Sequence, residues 1–399
     1  MASRNSADLT PPLIGAGTVL RLIRDTDGMT RSDLARITGL ARSTVAQRVD
    51  ALLAHELLYE GAAAASTGGR PPTLLTFNHR AGVVLVADLG ATHSRLAASD
   101  LAGVPLAEEA FDMDIAEGPD RVLQMVHEHF AALLAELDSS AGDVRGIGIG
   151  VPGPVAFHSG QPVKPPIMPG WNGFSIPDWF SGRYDAPVLV DNDVNIMALG
   201  EHWANWRDTD HLMFIKVGTG IGCGIVAGGS IHRGAQGAAG DIGHIRLAGH
   251  EEMLCRCGNV GCLEAFAGGD ALARRLTEAG VDAANSRDVV RLVRADDAIA
   301  VRMVREAGRS LGEVLAGCVN FFNPGVIVIG GDVGQAQELL AGVREVTIQR
   351  SLPLATGELS IVPSRLGDRA GVVGAAIMVI EHVLAPDVVD RVVLANAAA

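Results

Sequence analysis

The sequence lacks a long apolar run, and its first residues do not form the apolar segment of a secretory signal peptide. Neither a membrane-spanning nor a secreted chain is therefore expected. Cysteine is scarce, with five residues in 399, and three of them fall between positions 255 and 262. The other two, Cys223 and Cys318, lie in apolar segments and are expected in the core. This distribution is not that of a disulfide framework, so we expect a chain of the reducing cytoplasm.

Positive charge is also in deficit, with 32 lysines and arginines against 46 acidic residues and a net charge of −14. This balance argues against a chain that coats nucleic acid or a membrane surface. Residues 1–80 depart from it, because nine arginines there face seven acidic residues. A weakly basic head on an acidic body suits a DNA-reading module attached to a domain that does not itself bind DNA.

The head has the pattern of a helix-turn-helix. Apolar spacing predicts a helix over 17–27, a second helix capped by Thr30, and, after a turn at Gly39, a third helix from about 41 to 55. The second helix is expected to bury Leu34, Ala35 and Ile37. Polar side chains at the start of the third helix can reach bases and phosphates. The candidate DNA contacts there are Arg42, Ser43, Thr44, Gln47 and Arg48.

Two short strands, 57–60 and 73–78, follow the helices and predict the hairpin wing of a winged helix. The connecting segment contains Gly68-Gly69-Arg70-Pro71, and Arg70 is a candidate minor-groove contact. A small helical protein-interaction module is the alternative for the helices alone. The wing favours DNA binding.

From residue 82 onward, apolar strands run into glycine-rich turns, as in VVLVADLG, VRGIGIGV, LMFIKVGTG and VIVIGG. Helical stretches lie between them, at 120–137, 270–279 and 297–318 among others. The alternation predicts an α/β architecture. Because each half repeats a strand that ends in a glycine turn, we expect a duplicated core with a cleft between two lobes.

A histidine and three cysteines form the most informative cluster. His244, Cys255, Cys257 and Cys262 supply one imidazole and three thiolates, a complete tetrahedral shell for structural zinc. Such a shell leaves no open position for a water molecule, so we expect it to hold a loop in place. The flanking carboxylates, Asp241 and Glu264, would then be fixed beside a binding site.

A second polar group follows the apolar strand at 188–190, where the chain reads Asp191-Asn192-Asp193. Carboxylate and amide groups at a strand end suit sugar hydroxyls, and a carboxylate there can act as a general base. The alternative is ordinary capping of the following helix by Asn192 or Asp193. The turn Gly218–Gly222 can hold a phosphate, but glycines also end ordinary strands.

In this order, GIGVPGPV, DNDVNIMALGE, GTGIGCGIV, GDIGHI, CRCGNVGCLEAF and NPGVIVIGGDVG resemble the ROK family of repressors, open reading frames and sugar kinases, from about residue 80 to 385. The resemblance implies an actin-like, hexokinase-type two-lobed body. The N-terminal winged helix resembles that of the family's repressor branch. We therefore expect three domains: a winged helix over 1–78, a first lobe over 79–200 and a second lobe with the zinc motif over 201–399. A C-terminal helix at about 369–387 is expected to pack on the first lobe.

The resemblance also assigns residues. It implies zinc ligands at His244, in preference to His250, and at the three clustered cysteines, and it places the family's catalytic base on Asp193. The implied sugar contacts are Asn192, Asp193, Asp241, His244 and Glu264. The positions that match the family's nucleotide site are Asp88, Gly90, Thr92, Gly218, Thr219, Gly220, Gly330 and Gly331.

Some positions depart from the kinase pattern. Ala91 and His93 alter the first phosphate turn, Asp241 stands where kinases have glutamate, and Ile167 replaces an asparagine before Pro-Gly-Trp. These changes count against the use of ATP with Mg²⁺, whereas the sugar contacts remain. The favoured function is a sugar-responsive transcriptional repressor that binds palindromic operator DNA as a homodimer or tetramer. The alternatives are an ATP-dependent sugar kinase with a DNA-binding head and a platform for protein partners.

Overall fold

The structure is a computed structural model that describes residues 14–26, 28–63 and 73–395. The helices of these residues are α1 Ala16–Asp25, α2 Arg31–Thr38, α3 Arg42–Ala54, α4 Pro119–Glu136, α5 Ile176–Phe180, α6 Asp193–Asn205, α7 Leu263–Ala267, α8 Gly269–Glu278, α9 Ser286–Arg294, α10 Ala298–Phe322, α11 Gln337–Arg350, α12 Pro353–Thr356, α13 Ala370–Val383 and α14 Pro386–Ala395. The strands are β1 Leu58–Ala63, β2 Thr73–Phe77, β3 Val83–Leu89, β4 His93–Asp100, β5 Pro105–Asp112, β6 Val144–Val151, β7 Val155–Ala156, β8 Gln161–Pro162, β9 Val188–Asn192, β10 His211–Val217, β11 Ile221–Ala227, β12 Ser230–Ile231, β13 Val326–Gly330 and β14 Ser360–Pro363.

Contacts divide the chain into two units. The head unit comprises residues 1–82, 100–102 and 380–399, and the body unit comprises 83–99 and 103–379. Across the described part of the chain, no single helix is long and apolar enough to cross a membrane. One bent pair, 367–383 with 386–393, meets the length and composition criteria when its two helices are taken together.

The helices of the head begin and end where local signals predict. Thr30 and Asp33 form a reciprocal capping box at the start of α2, and Gly39 ends that helix with a φ of 70°. Leu34 is the buried residue of α2, as expected, but Ile37 is 47% exposed and the prediction of an inward Ile37 is wrong. The buried face extends from Leu34 toward the half-buried Ala35 and Thr38, about 100° and 40° around the helix, whereas Ile37 lies about 60° from Leu34 in the opposite direction.

The predicted wing strands are present as β1 and β2, which pair antiparallel with Leu58 opposite Phe77. Met29 forms an isolated bridge with Leu75, which is fully buried, and so attaches the hairpin to the loop before α2. The tip between the strands, with Arg70, lies outside the described residues.

A helix from the far end of the chain completes the head unit. Helix α14 packs on α1, where the Gly17 amide donates a hydrogen bond of 2.9 Å to Asp390 Oδ1. A Cβ on Gly17 would lie 2.1 Å from the Pro386 carbonyl oxygen, so glycine permits this close approach. Arg24 of α1 also forms an ion pair of 3.1 Å with Glu381. The sequence analysis did not foresee this contribution of the C-terminal segment to the head.

Two five-stranded sheets form the body, with strand orders β5-β4-β3-β6-β9 and β12-β11-β10-β13-β14. In the first sheet, β3, β6 and β9 are parallel neighbours, and β4 pairs antiparallel with the edge strand β5. In the second sheet, β10, β13 and β14 are parallel neighbours, and β11 pairs antiparallel with the edge strand β12. The two sheets therefore repeat one topology. This arrangement is the duplicated actin-like α/β fold that the sequence predicted.

Helix α13 fixes the start of α6 in the body. A Cβ on Gly374 of α13 would lie 1.7 Å from the Ile196 carbonyl oxygen, and a Cβ on Gly200 of α6 would lie 2.2 Å from the Ala370 carbonyl oxygen. The two helices thus approach through glycines. Their contact holds Asp193, the first residue of α6, at the end of β9.

Candidate functional site

A cavity of about 1010 Å³ lies in the body unit and is lined by strand ends of both sheets. It brings together all five residues that the sequence predicted as sugar contacts: Asn192, Asp193, Asp241, His244 and Glu264. Six predicted nucleotide positions also line it: Asp88, Gly90, Gly218, Thr219, Gly220 and Gly331. Thr92 and Gly330 are not among its lining residues. Gly330 instead packs against Phe214, where a Cβ would come within 2.4 Å of the ring.

The predicted metal ligands form one cluster. One ligand atom from each of His244, Cys255, Cys257 and Cys262 lies within 4.8 Å of the others. His244 Nδ1 is 3.6 Å from Cys255 Sγ, and the Sγ atoms of Cys257 and Cys262 are 3.8 Å apart. A tetrahedral zinc ion with ordinary bond lengths holds its ligand atoms roughly 3.3–3.8 Å apart. His250 is not in this cluster, because its ring packs against Phe266 at 4.1 Å.

The thiols of the cluster need a cation. Burial raises the pKa of Cys262 to about 12 and also raises the pKa of Cys255. Burial acts in the same direction on Cys257, but hydrogen bonds from Asn259 and from the other cysteines outweigh it and lower the pKa of that thiol. Three thiols in one place cannot all ionise near neutral pH without positive charge among them. The donor set therefore fits a divalent metal ion that favours sulfur ligands.

Two residues connect the metal cluster to the cavity. The Nδ1 atom of His244 faces the cluster, whereas its Nε2 atom lies 3.8 Å from Asp241 Oδ1 on the cavity side. Glu264, in the first turn of α7, accepts a hydrogen bond of 3.0 Å from the Ile221 amide. A Cβ on Gly220 would lie 2.2 Å from Glu264 Oε2. The glycine predicted for phosphate binding therefore makes room for this carboxylate.

The Asp191-Asn192-Asp193 segment caps a helix and also faces the cavity. Asn192 Oδ1 accepts from the Val194 amide at 3.0 Å, and its Nδ2 donates to the Gly153 carbonyl at 3.0 Å. The capping alternative therefore describes Asn192 well. Asp193 Oδ1 also accepts from the Val194 amide, at 2.8 Å, but Asp193 Oδ2 accepts from Lys216 Nζ at 2.5 Å.

Sequence reasoning missed two basic residues of this site. Lys216 bonds Asp193 from 23 residues away, and Arg233 bonds Asp191 from 42 residues away. The Arg233 guanidinium lies 2.7 Å from Asp191 Oδ2 and stacks 3.7 Å above the Phe157 ring. No local spacing relates these partners, because the folding of the sheets brings them together.

The first phosphate turn carries little positive charge. Burial lowers the pKa of His93, so its imidazole is neutral near pH 7. Burial raises the pKa of Asp88 to about 7, against the opposing effect of Lys216. The Asp88 carboxylate occupies the space of a side chain at Gly371, where a Cβ would lie 1.9 Å from Oδ2. The departure at His93 thus removes a cation that could face a phosphate.

The start of α3 presents the predicted DNA contacts in the head unit. Arg42, Ser43 and Gln47 are exposed there. Thr44 and Arg48 are half-buried. The exposed Ser43 and Gln47 are four residues apart and lie on one helix face, from which serine can reach a phosphate and glutamine a base edge.

Together, a winged helix-turn-helix and a duplicated actin-like body with a polar cavity define a DNA-binding module joined to a ligand-binding domain. The chain belongs to the ROK family, whose model matches residues 84–382. A winged helix-turn-helix DNA-binding model matches residues 18–58.

Known proteins resemble the chain over different lengths. The putative xylose repressor of Caldicellulosiruptor sp. (strain Rt8B.4) is 32% identical over 387 residues, which cover 93% of this chain and 96% of the relative. A glucokinase of Halalkalibacterium halodurans is also 32% identical, but over 308 residues that cover 73% of this chain and 93% of the relative. A crystal structure described as a ROK family transcriptional regulator, homologous to the Escherichia coli MLC protein, matches with a TM-score of 0.79. The two sequences are 28% identical, and the match covers 95% of this chain and 98% of the chain in that crystal structure.

Proposed function

We propose that the protein is a sugar-responsive transcriptional repressor. The winged helix binds operator DNA, and a sugar or sugar phosphate in the body cavity changes the affinity for that DNA. The observation that carries this proposal is the presence, in one chain, of an exposed α3 face and a cavity lined by carboxylate, amide and imidazole groups. The similarity to a putative xylose repressor over 93% of the chain supports it, because that alignment includes the head.

The proposed ligand contacts are the cavity groups Asn192, Asp193, Asp241, His244 and Glu264. Carboxylates accept hydrogen bonds from sugar hydroxyls, and His244 Nε2 supplies a further polar atom on the same side. A sugar regulates DNA binding only if it has different affinities for two states of the protein. The repressor acts in the cytoplasm as a homodimer or tetramer on a palindromic operator, since paired half-sites require paired heads. Its proposed domains are 1–78, 79–200 and 201–399, with α14 of the last of these packed on α1 of the first.

The proposed metal is structural zinc, held by His244, Cys255, Cys257 and Cys262. Zinc would supply the positive charge that keeps the three thiolates ionised together. Its role is to fix the loop that carries Asp241 and the start of α7. The four protein ligands complete the shell, so no chemistry on the sugar is assigned to the metal.

An electrophoretic mobility shift with the DNA upstream of the protein's own coding region tests the proposal. We expect a specific complex that survives competitor DNA and whose stability changes when the correct sugar is added. Arg42→Ala should weaken the complex by about 1–3 kcal/mol if Arg42 makes a bidentate base contact. The matched control is Arg36→Ala, because Arg36 is exposed on α2 and paired with Asp33. The absence of any specific complex with wild-type protein would contradict the proposal.

The alternative function is an ATP-dependent sugar kinase with Asp193 as the base. The observation in its favour is that Asp193 and the turn Gly218-Thr219-Gly220 line one cavity. A coupled assay for ADP release with a panel of hexoses and pentoses decides the matter. Turnover with any sugar would establish the kinase function, whereas sugar binding without turnover leaves the sensor.

A further inference from the structure

Lysine is nearly absent from this protein. Of 32 basic side chains, two are lysines, Lys164 and Lys216, and the rest are arginines. Lys164 is exposed. Lys216 lies near the end of β10, lines the cavity and has a side chain that is 19% exposed. One of two lysines in the chain thus lies inside the proposed sugar site.

The strand neighbours of Lys216 are both glycines. Lys216 pairs with Gly222 of β11 on one side and with Gly330 of β13 on the other. The space beside each glycine is filled from elsewhere, because a Cβ would lie 2.7 Å from Val194 Cγ2 at Gly222 and 2.4 Å from the Phe214 ring at Gly330. Between these packed neighbours the amine reaches Asp193 Oδ2 at 2.5 Å. Lysine carries a compact point charge on a flexible stem, which fits this narrow approach better than a planar guanidinium would.

Carboxylates from three elements act on the Lys216 ammonium: Asp193 of α6, Asp88 of β3 and Asp332 after β13. Burial alone would lower the pKa of Lys216, but these acidic groups together raise it, so the amine stays charged. Asp88 Oδ1 is buried and has no hydrogen-bond partner among the described residues. Four other charged or titratable groups contribute to the electrostatics around Asp88 and Lys216: His93, Arg95, Asp112 and Arg287.

We propose that Lys216 is a built-in counterion that holds Asp193 as a hydrogen-bond acceptor and prevents it from acting as a base. The cavity then binds a sugar without activating its hydroxyl for phosphoryl transfer. The positive charge beside Asp193 makes transfer of a sugar proton to this carboxylate less favourable, and a charged ammonium among these carboxylates also opposes the entry of a divalent cation. Lys216 is thus a positioning residue, and its role rests on the proposed sugar site.

The two lysines permit a direct measurement. Protein labelled with ¹⁵N-lysine should give two side-chain amine signals, with exposed Lys164 as the internal reference. We expect the Lys216 signal to show slow exchange with solvent and to move when D-xylose or D-glucose is added. Two results together would overturn the pairing of Lys216 with Asp193, whether or not either sugar binds. They are a Lys216 amine signal that exchanges with solvent as fast as that of Lys164, and a Lys216 signal that does not change in the Asp193→Asn variant.

Substitution separates the counterion from a merely structural side chain. Lys216→Met keeps the length of the side chain and removes its charge, and Lys164→Met is the matched control. Calorimetry with D-xylose and D-glucose at pH 6 and pH 8 gives the change in wild-type affinity between these values, which includes the protonation of Asp88, and Lys164→Met should reproduce that change. For Lys216→Met we expect an additional loss of affinity at pH 6, about tenfold relative to wild-type protein, because removal of the ammonium leaves the neighbouring carboxylates without a positive charge and favours the uptake of a proton.

The outcomes distinguish two failures. If wild-type protein binds neither these sugars nor any other in the panel, the proposed sugar-sensing function fails, and the amine signals alone decide whether Lys216 pairs with Asp193. If wild-type protein binds sugar and Lys216→Met matches it at both pH values, the counterion proposal is wrong and sugar sensing stands. Sugar-dependent ADP release by wild-type protein also overturns the counterion proposal.

Discussion

The cavity has two walls that hold their polar groups by different means. The metal wall consists of Asp241, His244, Cys255 and Glu264, which line the cavity, and of Cys257 and Cys262, which belong to the cluster but do not line it. The sheet wall consists of Asp88, Asp193 and Lys216, which line the cavity, and of the adjacent ion pair of Asp191 with Arg233, which does not. On the metal wall, thiols collect where a metal ion can neutralise them. On the sheet wall, a lysine and an arginine neutralise buried carboxylates. The anionic groups of one site can thus be neutralised in two ways, by a metal ion or by basic side chains of the same chain.

The largest effect is expected on the metal wall. Cys262→Ser removes a ligand, so the protein should lose its bound metal, and sugar affinity should fall by about tenfold or more as His244 and Glu264 lose their support. Metal content by elemental analysis and sugar binding by calorimetry check this. Cys318→Ser is the control, since Cys318 is half-buried and outside the cluster. A Cys262→Ser protein that keeps one metal ion per chain and full sugar affinity would show that this wall does not depend on the cluster.

The next effect tests the sheet wall through pH. Asp88 has a pKa of about 7 in the folded protein and 3.8 as the ordinary value. Between pH 3.8 and about pH 7, Asp88 keeps its proton in the folded protein but has lost it in the unfolded chain. The free energy of unfolding therefore falls as pH rises through this window. The loss is up to roughly 4 kcal/mol and is complete above about pH 7. Asp88→Asn should remove this slope.

Chemical denaturation at several values from pH 5 to pH 8 measures the slope for both proteins. Asp120→Asn serves as the control, because Asp120 is an exposed carboxylate at the start of α4. Equal slopes for wild-type and Asp88→Asn protein would mean that Asp88 is ionised throughout this range. The sheet wall would then hold one more negative charge than we infer.

The smallest effect concerns Arg233. Arg233→Ala leaves the buried Asp191 carboxylate with its bonds to the Asn192 amide and Asn195 but without its cation. We expect the free energy of unfolding to fall by about 1–3 kcal/mol. Thermal unfolding measures this change. Arg207→Ala is the matched control, because Arg207 also stacks on an aromatic ring, 3.3 Å above Trp203. A loss no larger than that of the control would show that stacking, and not the ion pair, is what Arg233 contributes.

The sequence predicted what local rules govern. The capping box at Thr30, the turn at Gly39 and the strands that end in glycine depend on neighbours a few residues away. The metal ligands are also close in sequence, so their spacing predicted their meeting. Ile37 was assigned wrongly because an eight-residue helix with few apolar positions does not define its buried face.

The rest of the site depends on tertiary packing. Lys216 meets Asp193 across 23 residues, and Arg233 meets Asp191 across 42. Lys216 and Arg233 belong to the part of the chain that forms the second sheet, whereas Asp191 and Asp193 lie at the end of β9 in the first sheet. Residue spacing therefore carries no signal for either pair. The contact between Gly17 and Asp390 spans 373 residues and was likewise beyond local rules.

The packing of α14 on α1 has a consequence for biosynthesis. Domains generally fold in the order of their synthesis, at about 5–20 residues per second, so roughly 20–70 s separate α1 from α14 on the ribosome. Helix α3 leaves the ribosome early, but the head unit gains α14 only after the body unit has been made. A nascent or prematurely terminated chain thus carries a head without Asp390 and Glu381. The contact between α1 and α14 therefore forms only in chains whose ligand-binding body has already been synthesised.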